Sequence, residues 1–304
     1  MKNQTFIRKV STVLPHPRYQ LLSVIIPAYN AASTLEQQLE ALKAQTYEGK
    51  WEIVVVDNCS TDKTVELVHE YQRQLPHLRL VHAPKKRNRS YARNIGAQAA
   101  RGEVLLFCDA DDVIAADWIT ALANALEVHD FVCGVVEAQT LNPCPPQTQY
   151  SEKGANYSYL NFLPIALGGN FAISREAFEA VDGFSEEFPR CQDVELSWRL
   201  QLQGYPIHHE PTAIIHGRYR GEFWPIWQRS VMAGEADVKL YRLYAAHGMP
   251  QSSVREALQT YKSLIKKAPR LLFMPHCKRI NWMRRAGRSW GRLWGSLRYH
   301  TLYL

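Results

Sequence analysis

The chain has 304 residues, of which 46% are apolar and 21% are charged, a balance typical of one large globular domain or of one domain with an appendage. No stretch reaches the roughly 18 uncharged apolar residues of a membrane-spanning helix, and residues 1–20 lack the apolar core of a secretory signal. The six cysteines are scattered without a CxxC pair, so we expect reduced thiols in a cytoplasmic protein, with neither a disulfide framework nor a zinc site.

The charge is unevenly distributed along the chain. Residues 239–304 contain 14 Lys and Arg residues and a single acidic residue, Glu256, which gives this segment a net charge of +13. Because the whole chain carries +7, the other 238 residues carry −6. A basic segment attached to an acidic body indicates that the segment faces a polyanion or an anionic membrane.

Short apolar strands alternate with helices in the first part of the chain. Strands are predicted at 21–27, 51–56, 78–82 and 104–108, and helices at 34–45, 63–75 and about 90–100. This alternation predicts a parallel sheet with helices on both faces. Ligands of such sheets bind beyond the carboxyl ends of the strands, and here those ends carry Pro27, Asp57 and Asp109.

Three carboxylates, Asp109, Asp111 and Asp112, follow the fourth strand within four positions. Residues i and i+2 of an extended segment point to the same side, so Asp109 and Asp111 can act together. Carboxylates this close are unfavourable unless a cation or hydrogen-bond donors lie between them, and Mg²⁺ and Mn²⁺ prefer oxygen ligands. The alternative is an acidic turn in which Asp112 or Asp117 caps the next helix.

Five segments occur in a specific order and spacing: SVIIPAYN (23–30), VVVDNCSTDKT (54–64), SYARNIGAQAARGEVLLFCDADD (90–112), GGNFAISREAF (168–178) and QDVELSWRLQLQGY (192–205). Together they resemble glycosyltransferase family 2 over roughly residues 21–220. The resemblance implies an α/β fold of the GT-A type, with a Rossmann-like, mostly parallel central sheet and helices on both faces, followed by a basic helical C-terminal extension. It also implies an inverting enzyme that uses a nucleotide-sugar donor.

On this basis we divide the chain into an N-terminal extension (1–20), a GT-A catalytic domain (21–220) and a basic helical C-terminal region (221–304). The catalytic domain would comprise a nucleotide-sugar-binding half (21–112) and an acceptor half (113–220).

The resemblance implies a donor site when it is carried over residue by residue. The donor-binding set is Pro27, Ala28, Tyr29, Asp57, Arg93, Asn94 and Asp109. The first three would line the base and ribose pocket, Asp57 would accept a hydrogen bond from the base, and a cationic Arg93 near a diphosphate makes physical sense. The alternative for Arg93 is an ordinary surface arginine.

The same resemblance implies a metal site for Mn²⁺ or Mg²⁺. Asp109-Ala110-Asp111 matches the DxD motif of the family, in which Asp111 would bind the metal and Asp109 would contact the ribose or the metal. Asp112 is the less expected ligand. His216, at the end of an apolar strand, would be a further ligand, and the alternative is a strand-end histidine satisfied by the backbone.

On the acceptor side, Asp193 matches the general base of the family, a residue near the start of a helix. The preceding position, which is usually acidic, is Gln192 here. Gly168, Gly169 and Asn170 would form the acceptor-side strand start, and Glu195 would support the site or bind a neighbouring loop. The alternative for Asp193 is a first-turn acid that complements the helix dipole.

The C-terminal region is predicted to be helical at 223–246 and 252–268. In the last segment Ile280, Met283, Trp290, Trp294 and Leu297 fall at helical spacing, and arginines cover much of the remaining surface. This pattern fits an interfacial helix on anionic lipid and equally a helix that packs on the catalytic domain with a solvated basic face. We expect no nucleic-acid partner, since no recognition module is visible.

The sequence therefore predicts a metal-dependent inverting glycosyltransferase. It would move a sugar from a UDP- or dTDP-linked donor to a hydroxyl of a glycan, glycolipid or related acceptor in cell-surface polysaccharide biosynthesis, in the cytoplasm and peripherally on the inner face of the cell membrane. The alternatives are a polyprenyl-phosphate glycosyltransferase, for which long apolar anchor segments would argue, and a non-enzymatic nucleotide-sugar-binding protein.

Overall fold

The computed structural model describes residues 18–142, 158–219 and 222–304, so residues 1–17 of the expected N-terminal extension lie outside the described residues. The described ranges contain eight strands: β1 (Leu22–Ala28), β2 (Trp51–Asp57), β3 (Leu78–His82), β4 (Val104–Cys108), β5 (Val113–Ile114), β6 (Phe131–Glu137), β7 (Asn170–Ser174) and β8 (Ile207–His216). They also contain nine α-helices: α1 (Leu35–Lys43), α2 (Thr64–Gln72), α3 (Arg89–Ala99), α4 (Trp118–Leu126), α5 (Arg175–Ala180), α6 (Gln192–Leu202), α7 (Phe223–Tyr244), α8 (Val254–Lys267) and α9 (His276–Arg298).

All eight strands belong to one sheet in the order β3-β2-β1-β4-β7-β6-β8-β5. The four strands β3, β2, β1 and β4 are parallel, as the alternation of strands and helices predicts. Strand β7 is antiparallel to both β4 and β6, β6 and β8 are parallel, and β5 is antiparallel to β8. The expectation of a mostly parallel sheet therefore holds for the N-terminal half, and the remainder is mixed because β7 reverses direction beside β4.

Two apolar layers cover the two faces of the sheet. Successive residues of a strand point to opposite faces, so Val24 and Ile26 of β1 pack in the layer beneath α1, α2 and α4. Ile25 packs in the opposite layer, with residues of α3, α5 and α6. Because β1 is buried on both faces, its sequence is an almost continuous apolar run. This arrangement holds the carboxyl ends of β1, β2 and β4 at one rigid edge.

Helices α7 and α9 pack closely against each other through glycines. Added Cβ atoms would overlap the Arg288 carbonyl oxygen at Gly234 and the Val231 carbonyl oxygen at Gly291. Only residues without side chains allow backbones to approach this closely. Helix α9 therefore packs on the rest of the protein through its glycine face, while Trp290 and Trp294 on another face remain exposed.

A buried ion network joins the same two helices. The fully buried Asp237 of α7 accepts hydrogen bonds from Arg288 Nε at 2.7 Å and Arg292 Nε at 2.8 Å, and from Arg288 Nη2 at 2.8 Å. Tyr159 donates a further hydrogen bond to Asp237 Oδ1 at 2.9 Å. Two arginines that the sequence assigned to a basic surface thus neutralise an internal carboxylate.

The cysteines differ from the expectation at one position. Cys59, Cys108, Cys133 and Cys191 are free thiols, but Cys277 is disulfide-bonded. The expectation of reduced thiols throughout is therefore wrong for Cys277, because the spacing of cysteines along a sequence does not by itself reveal a disulfide. Within the described ranges, no helix combines the length and apolarity needed to cross a membrane.

Candidate active site

The candidate site lies at the carboxyl edge of the parallel strands. Asp57, the last residue of β2, is buried, and its Oδ1 accepts a hydrogen bond from the Ser60 N–H at 3.1 Å. Pro27 and Ala28 end the adjacent strand β1. Tyr29 follows them with a partly exposed ring, and its hydroxyl accepts a hydrogen bond from Arg87 Nη1 at 2.7 Å. The predicted base and ribose residues thus lie together at one edge, beside a basic loop.

Asn58 determines the position of that basic loop, and the sequence interpretation missed it. Its Nδ2 donates to the carbonyl oxygens of Ala83 at 2.8 Å and Lys86 at 2.7 Å, and its Oδ1 accepts from the Asn88 N–H at 2.9 Å. The Asn58 side chain therefore fixes the backbone of the basic loop, which is the segment 83–88 between β3 and α3. The only signal in the sequence was a polar residue directly after a strand that ends in Asp57.

The three aspartates after β4 form a cluster. One carboxylate oxygen from each of Asp109, Asp111 and Asp112 lies within 4.8 Å of the other two. Asp112, which we judged the less expected ligand, is therefore as close as the DxD pair. His216 is at the end of β8, opposite Val113 of β5, but it is not a member of the cluster.

His216 instead contacts a carboxylate of its own. Its Nδ1 lies 2.9 Å from Glu137 Oε2. Against the effect of burial, hydrogen bonds from Thr140 and His216 lower the pKa of Glu137 to about 2, so this carboxylate is ionised at neutral pH. An ionised carboxylate on one ring nitrogen fixes the orientation of the imidazole.

The protonation behaviour of the cluster reflects its crowding. Burial, together with the charges of Asp109 and Asp111, raises the pKa of Asp112 well above its usual range. Burial would also raise the pKa of Asp109, but the charges of Arg93 and Arg89 hold it below its usual value. Neighbouring carboxyl groups whose pKa values are shifted in opposite directions are typical of a functional site, and a bound cation would stabilise their ionised forms.

Two arginines one helical turn apart on α3 provide the positive charge. Arg93 is fully buried, and its Nη2 donates to Asp109 Oδ1 at 2.7 Å. Its Nε and Nη1 have no hydrogen-bond partner in the described part of the chain. Arg89 Nη1 lies 3.9 Å from Asp109 Oδ2. The four-residue spacing was the signal by which Arg89 could have been found from the sequence.

The residues present fit a divalent metal and a diphosphate. Three carboxylates supply the hard oxygen ligands that Mn²⁺ and Mg²⁺ take, and the unpaired N–H groups of buried Arg93 fit an anion. A Cβ at Gly169 would lie 3.2 Å from both Asp109 Oδ2 and Asp112 Oδ2. A side chain at this glycine would therefore project directly against the carboxylates, and its absence keeps the site open.

Asp193 lies on the other side of the Gly168–Gly169 pair. It is in the first turn of α6, where its Oδ1 accepts from the Val194 N–H at 3.0 Å and its Oδ2 from the Gly168 N–H at 2.9 Å. A Cβ at Gly168 would lie 3.2 Å from both Asp193 Oδ2 and Arg93 Nη1. Only two glycines and one guanidinium therefore separate Asp193 from the aspartate cluster.

Asp193 also lines a cavity of about 410 Å³ between α6, α7 and α9. The site thus has two compartments that meet at Gly168 and Gly169.

Two predicted site residues, Asn94 and Asn170, use their side chains to hold the surrounding backbone. Asn94 exchanges two hydrogen bonds of 2.9 Å with the backbone of Phe184. Asn170 is fully buried, accepts from Trp118 Nε1 at 2.8 Å and donates to the carbonyl oxygens of Val135 and Ala213. The first bond pair positions the segment that leads to α6, and the second holds β7 in the sheet.

Glu195 has a comparable supporting position. It forms a bidentate ion pair with Arg199, at 2.8 Å to Nε and 2.6 Å to Nη2, and it accepts from the Tyr244 hydroxyl at 3.2 Å. Arg199 in turn donates to the carbonyl oxygens of Val181 and Gly183. The Glu195 carboxylate thus holds a neighbouring loop and connects α6 to α7.

Comparison with known proteins agrees with this architecture. The family model described as glycosyl transferase family 2 matches residues 23–182. A glycosyltransferase of Haemophilus influenzae is 35% identical over 244 residues, which are 75% of this chain and 96% of the relative. The glycosyltransferase AglE of Haloferax volcanii is 34% identical over 230 residues, which are 73% of this chain and 74% of that protein.

Other relatives are longer. The probable glycosyltransferase YdaM of Bacillus subtilis is 28% identical over 225 residues, which are 68% of this chain but only 53% of YdaM. The chain likewise spans about half (49%) of GlyG from Streptococcus pneumoniae, with 32% identity over 162 residues that are 53% of this chain.

Solved structures show the same fold. The mannosyltransferase PcManGT from Pyrobaculum calidifontis, in complex with GDP-Man and Mn²⁺, superposes with a TM-score of 0.63 at 22% identity, covering 93% of this chain and 90% of that one. The Staphylococcus aureus TarS fragment 1–349 with UDP-GlcNAc gives a TM-score of 0.57 at 18% identity and covers 93% of both chains. The predicted GT-A fold is confirmed, and the chain belongs to glycosyl transferase family 2.

Proposed function

We propose that the protein is a metal-dependent inverting glycosyltransferase that transfers a sugar from a UDP- or dTDP-linked donor to a hydroxyl of a glycan, glycolipid or related acceptor. The observation that carries this proposal is the position of Asp193 beside the aspartate cluster, across Gly168 and Gly169. Residues 21–112 would supply the donor half of the catalytic domain, and residues 113–220 most of the acceptor half.

The donor would bind along the carboxyl edge of the sheet. Pro27, Ala28 and Tyr29 would line the base and ribose pocket, and Asp57 would accept from the base. Arg93 and Arg89 would contact the diphosphate, because the buried Arg93 has N–H groups to offer an anion and Arg89 lies on the same face of α3. Asn94 would contribute only indirectly, through Phe184.

Asp109 and Asp111, with Asp112, would hold Mn²⁺ or Mg²⁺. When bound, the ion would neutralise negative charge that develops on the leaving diphosphate. His216 would be a further ligand through Nε2, and the Glu137 carboxylate on Nδ1 supports this role because such a partner orients a ligating imidazole. Among the solved structures of similar fold, that of PcManGT is a complex with GDP-Man and Mn²⁺.

Asp193 would act as the general base. Hydrogen bonds from the Gly168 and Val194 N–H groups hold its carboxylate in one orientation. The acceptor hydroxyl attacks the anomeric carbon from the side opposite the diphosphate, and Asp193 takes its proton as the new bond forms. The bond from the anomeric carbon to the diphosphate oxygen breaks, and the nucleoside diphosphate leaves with the electron pair, so the configuration inverts.

We also propose that the protein acts on cell-surface polysaccharide at the cytoplasmic face of the membrane. Support comes from the short 3-10 helix Ala268–Phe273, where Leu272 and Phe273 are 85% and 88% exposed. Lys266, Lys267 and Arg270 lie beside them in the sequence. Exposed apolar side chains flanked by cations favour contact with an anionic lipid surface.

Thermal denaturation of the purified protein with UDP-, dTDP- and GDP-sugars, each with and without Mn²⁺, tests the core of the proposal. A bound ligand raises the melting temperature by mass action, so we expect a shift from one nucleotide class that requires Mn²⁺. The Asp111→Ala variant should lose the shift. No shift with any donor would contradict the proposal, and donor binding without transfer to any acceptor would favour the non-enzymatic alternative.

A further inference from the structure

The cavity beside Asp193 is strongly basic. Five arginines from four separate parts of the chain line it: Arg190 before α6, Arg218 after β8, Arg229 on α7, and Arg284 and Arg288 on α9. Asp193 is the only acidic residue of the described part of the chain that lines it. The cavity would receive the acceptor if Asp193 is the general base, so its chemistry reports on the acceptor.

Three of these arginines have guanidinium groups with no carboxylate partner among the described residues. No carboxylate oxygen of the described residues lies within 4.0 Å of the guanidinium group of Arg190, Arg218 or Arg284, although the backbone N–H of Arg218 donates to Asp112 Oδ1 at 2.8 Å. Arg218 donates to neutral groups, the Asp111 carbonyl oxygen at 3.0 Å and Gln37 Oε1 at 2.6 Å. Arg284 Nη1 donates to Asn281 Oδ1 at 3.3 Å.

Arg190 is the most unfavourably placed of the set. Burial, together with the like charges of Arg89 and Arg229, lowers its pKa to about 10. The guanidinium is still protonated at neutral pH, and its charge interacts with Asp193 and Asp109, but no carboxylate of the described residues lies within 4.0 Å of it. Such an arrangement costs stability unless an external anion compensates it.

The neighbouring Arg288 provides the contrast. It also lines the cavity, but its guanidinium is paired with the buried Asp237 at 2.7 Å. The fold therefore supplies a carboxylate where an arginine serves packing between α7 and α9. One helical turn away, no described residue supplies a carboxylate to the Arg284 guanidinium, and a ligand that carries its own negative charge would complete the site.

We propose that the acceptor bears a phosphate group, which Arg190, Arg229 and Arg284 bind while a nearby hydroxyl lies at Asp193. Guanidinium groups bind phosphate oxygens in a forked geometry, and several cations around one cavity suit a group with more than one negative charge. The aspartate cluster, which would hold the metal ion of the donor site, does not line this cavity. The proposal rests on the proposed function, since it names the acceptor class of the same site.

Calorimetric titration of the full chain, saturated with UDP and Mn²⁺, tests this assignment. The probes are glycerol 1-phosphate, glycerol and glucuronate. We expect glycerol 1-phosphate to bind and glycerol not to bind. Arg284→Gln and Arg229→Gln should each weaken binding of glycerol 1-phosphate by about tenfold or more, as loss of a charge-assisted hydrogen bond predicts.

Arg285→Gln is the matched control, because Arg285 is the next residue of the same helix and is exposed. It should change the affinity less than twofold. Equal weakening by Arg285→Gln would overturn the proposal, as would glycerol 1-phosphate binding no better than glycerol. Tighter binding of glucuronate would also overturn it and assign the cavity to an acidic sugar.

Two further arms separate the remaining cases. A short-chain phosphatidic acid that binds more tightly than glycerol 1-phosphate through the same arginines would identify a lipid-linked phosphate, and equal binding would identify a free one; both support the site. Titrating the protein without nucleotide separates this proposal from the proposed function. If glycerol 1-phosphate binds the nucleotide-free protein and UDP with Mn²⁺ displaces it, the phosphate occupies the donor site and the assignment is overturned. If UDP does not bind at all, the proposed function fails, but the measured affinity for glycerol 1-phosphate still tests the phosphate site.

Discussion

The carboxyl edge of the sheet and the C-terminal helices meet at the candidate site with opposite charge. At the sheet edge, Asp109, Asp111 and Asp112 crowd three carboxylates within a few ångströms. Across Gly168 and Gly169, the helices contribute a cavity whose arginines greatly outnumber its acidic residues. Carboxylates are concentrated on one side and guanidinium groups on the other, so the first side is suited to a cation and the second to an anion.

The two regions are also built differently. The edge is positioned by backbone pairing of buried strands, which leaves strand ends at fixed points. The helices are positioned by glycine contacts and by the ion network of Asp237. Disturbing the chemistry of the first region should therefore leave the fold intact, whereas disturbing the buried charges of the second should destabilise it.

The largest effect on activity is expected for Asp193→Asn, at the boundary between the sheet edge and the helical cavity. The amide cannot take the acceptor proton, so kcat should fall about 10³-fold, equivalent to about 4 kcal/mol. UDP and Mn²⁺ should bind as in the wild type, because the donor groups lie on the other side of Gly168. The fall in kcat is measured as turnover of the donor identified by thermal denaturation, and the affinity for UDP and Mn²⁺ is measured by calorimetry.

Glu66→Gln on the exposed face of α2 is the control for loss of one carboxylate. It should retain full turnover. An Asp193→Asn variant with turnover like that of the wild type would remove Asp193 from the role of base and leave it as a first-turn acid.

Asp237→Asn should destabilise the packing of the C-terminal helices α7 and α9. Two arginines would lose their buried partner, and because both are partly exposed we expect the low end of the usual cost, about 3 kcal/mol of unfolding free energy. Despite burial, Arg288 and Arg292 hold the pKa of Asp237 below its usual value. The carboxylate therefore stabilises the fold above its unfolded pKa of about 4, and this contribution is lost as the pH falls through the lower folded pKa.

Urea denaturation at pH 7 and at progressively lower pH checks this prediction. The difference between the variant and the wild type should be largest at neutral pH and shrink in acid. A difference that does not change with pH would indicate that packing, and not the charge, accounts for the effect.

Much of the sheet edge could be predicted from the sequence. Strand ends follow directly from apolar runs, and Asp57, Asp109 and Asp111 are polar residues at or just after those ends, so the local pattern is enough to locate the candidate site. The helix boundaries in the C-terminal region also follow from periodicity, as α7 (Phe223–Tyr244) illustrates. The family resemblance added Asp193, which spacing alone would have left as a helix-terminal acid.

The basic cavity could not be predicted, because Arg190, Arg218, Arg229 and Arg284 belong to four different segments that only tertiary packing brings together. Helical periodicity identified the faces of α9 but not their neighbours, so Arg288 was assigned to a surface. One usable signal was overlooked. Gly287, Gly291 and Gly295 recur every four residues, a stripe that indicates close packing against another helix.

Removing a metal ligand tests the cationic partner of the sheet edge. Asp111→Ala should weaken Mn²⁺-dependent UDP binding about hundredfold, or about 2.7 kcal/mol, because one of three clustered oxygen ligands is lost. Asp112→Asn should have a smaller effect if Asp112 only borders the ion. Calorimetry with and without Mn²⁺ measures both, and unchanged Mn²⁺ dependence in the Asp111→Ala variant would exclude that residue as a ligand.

The smallest effect is expected at the membrane-facing end of the helical region. Leu272 and Phe273 contribute nothing to the described core, since both are almost fully exposed, so replacing both with serine should leave the melting temperature unchanged. Binding to vesicles that contain anionic lipid should fall about tenfold, because the two side chains would otherwise bury apolar surface at the interface.

Leu243→Ser, at an exposed apolar position near the end of α7, is the control and should bind like the wild type. Equal sedimentation of all three proteins with anionic vesicles would show that basic charge alone, and not this apolar end, accounts for any membrane contact. Loss of binding to neutral vesicles as well as anionic ones would instead show that the apolar contribution dominates over the charge of the helices.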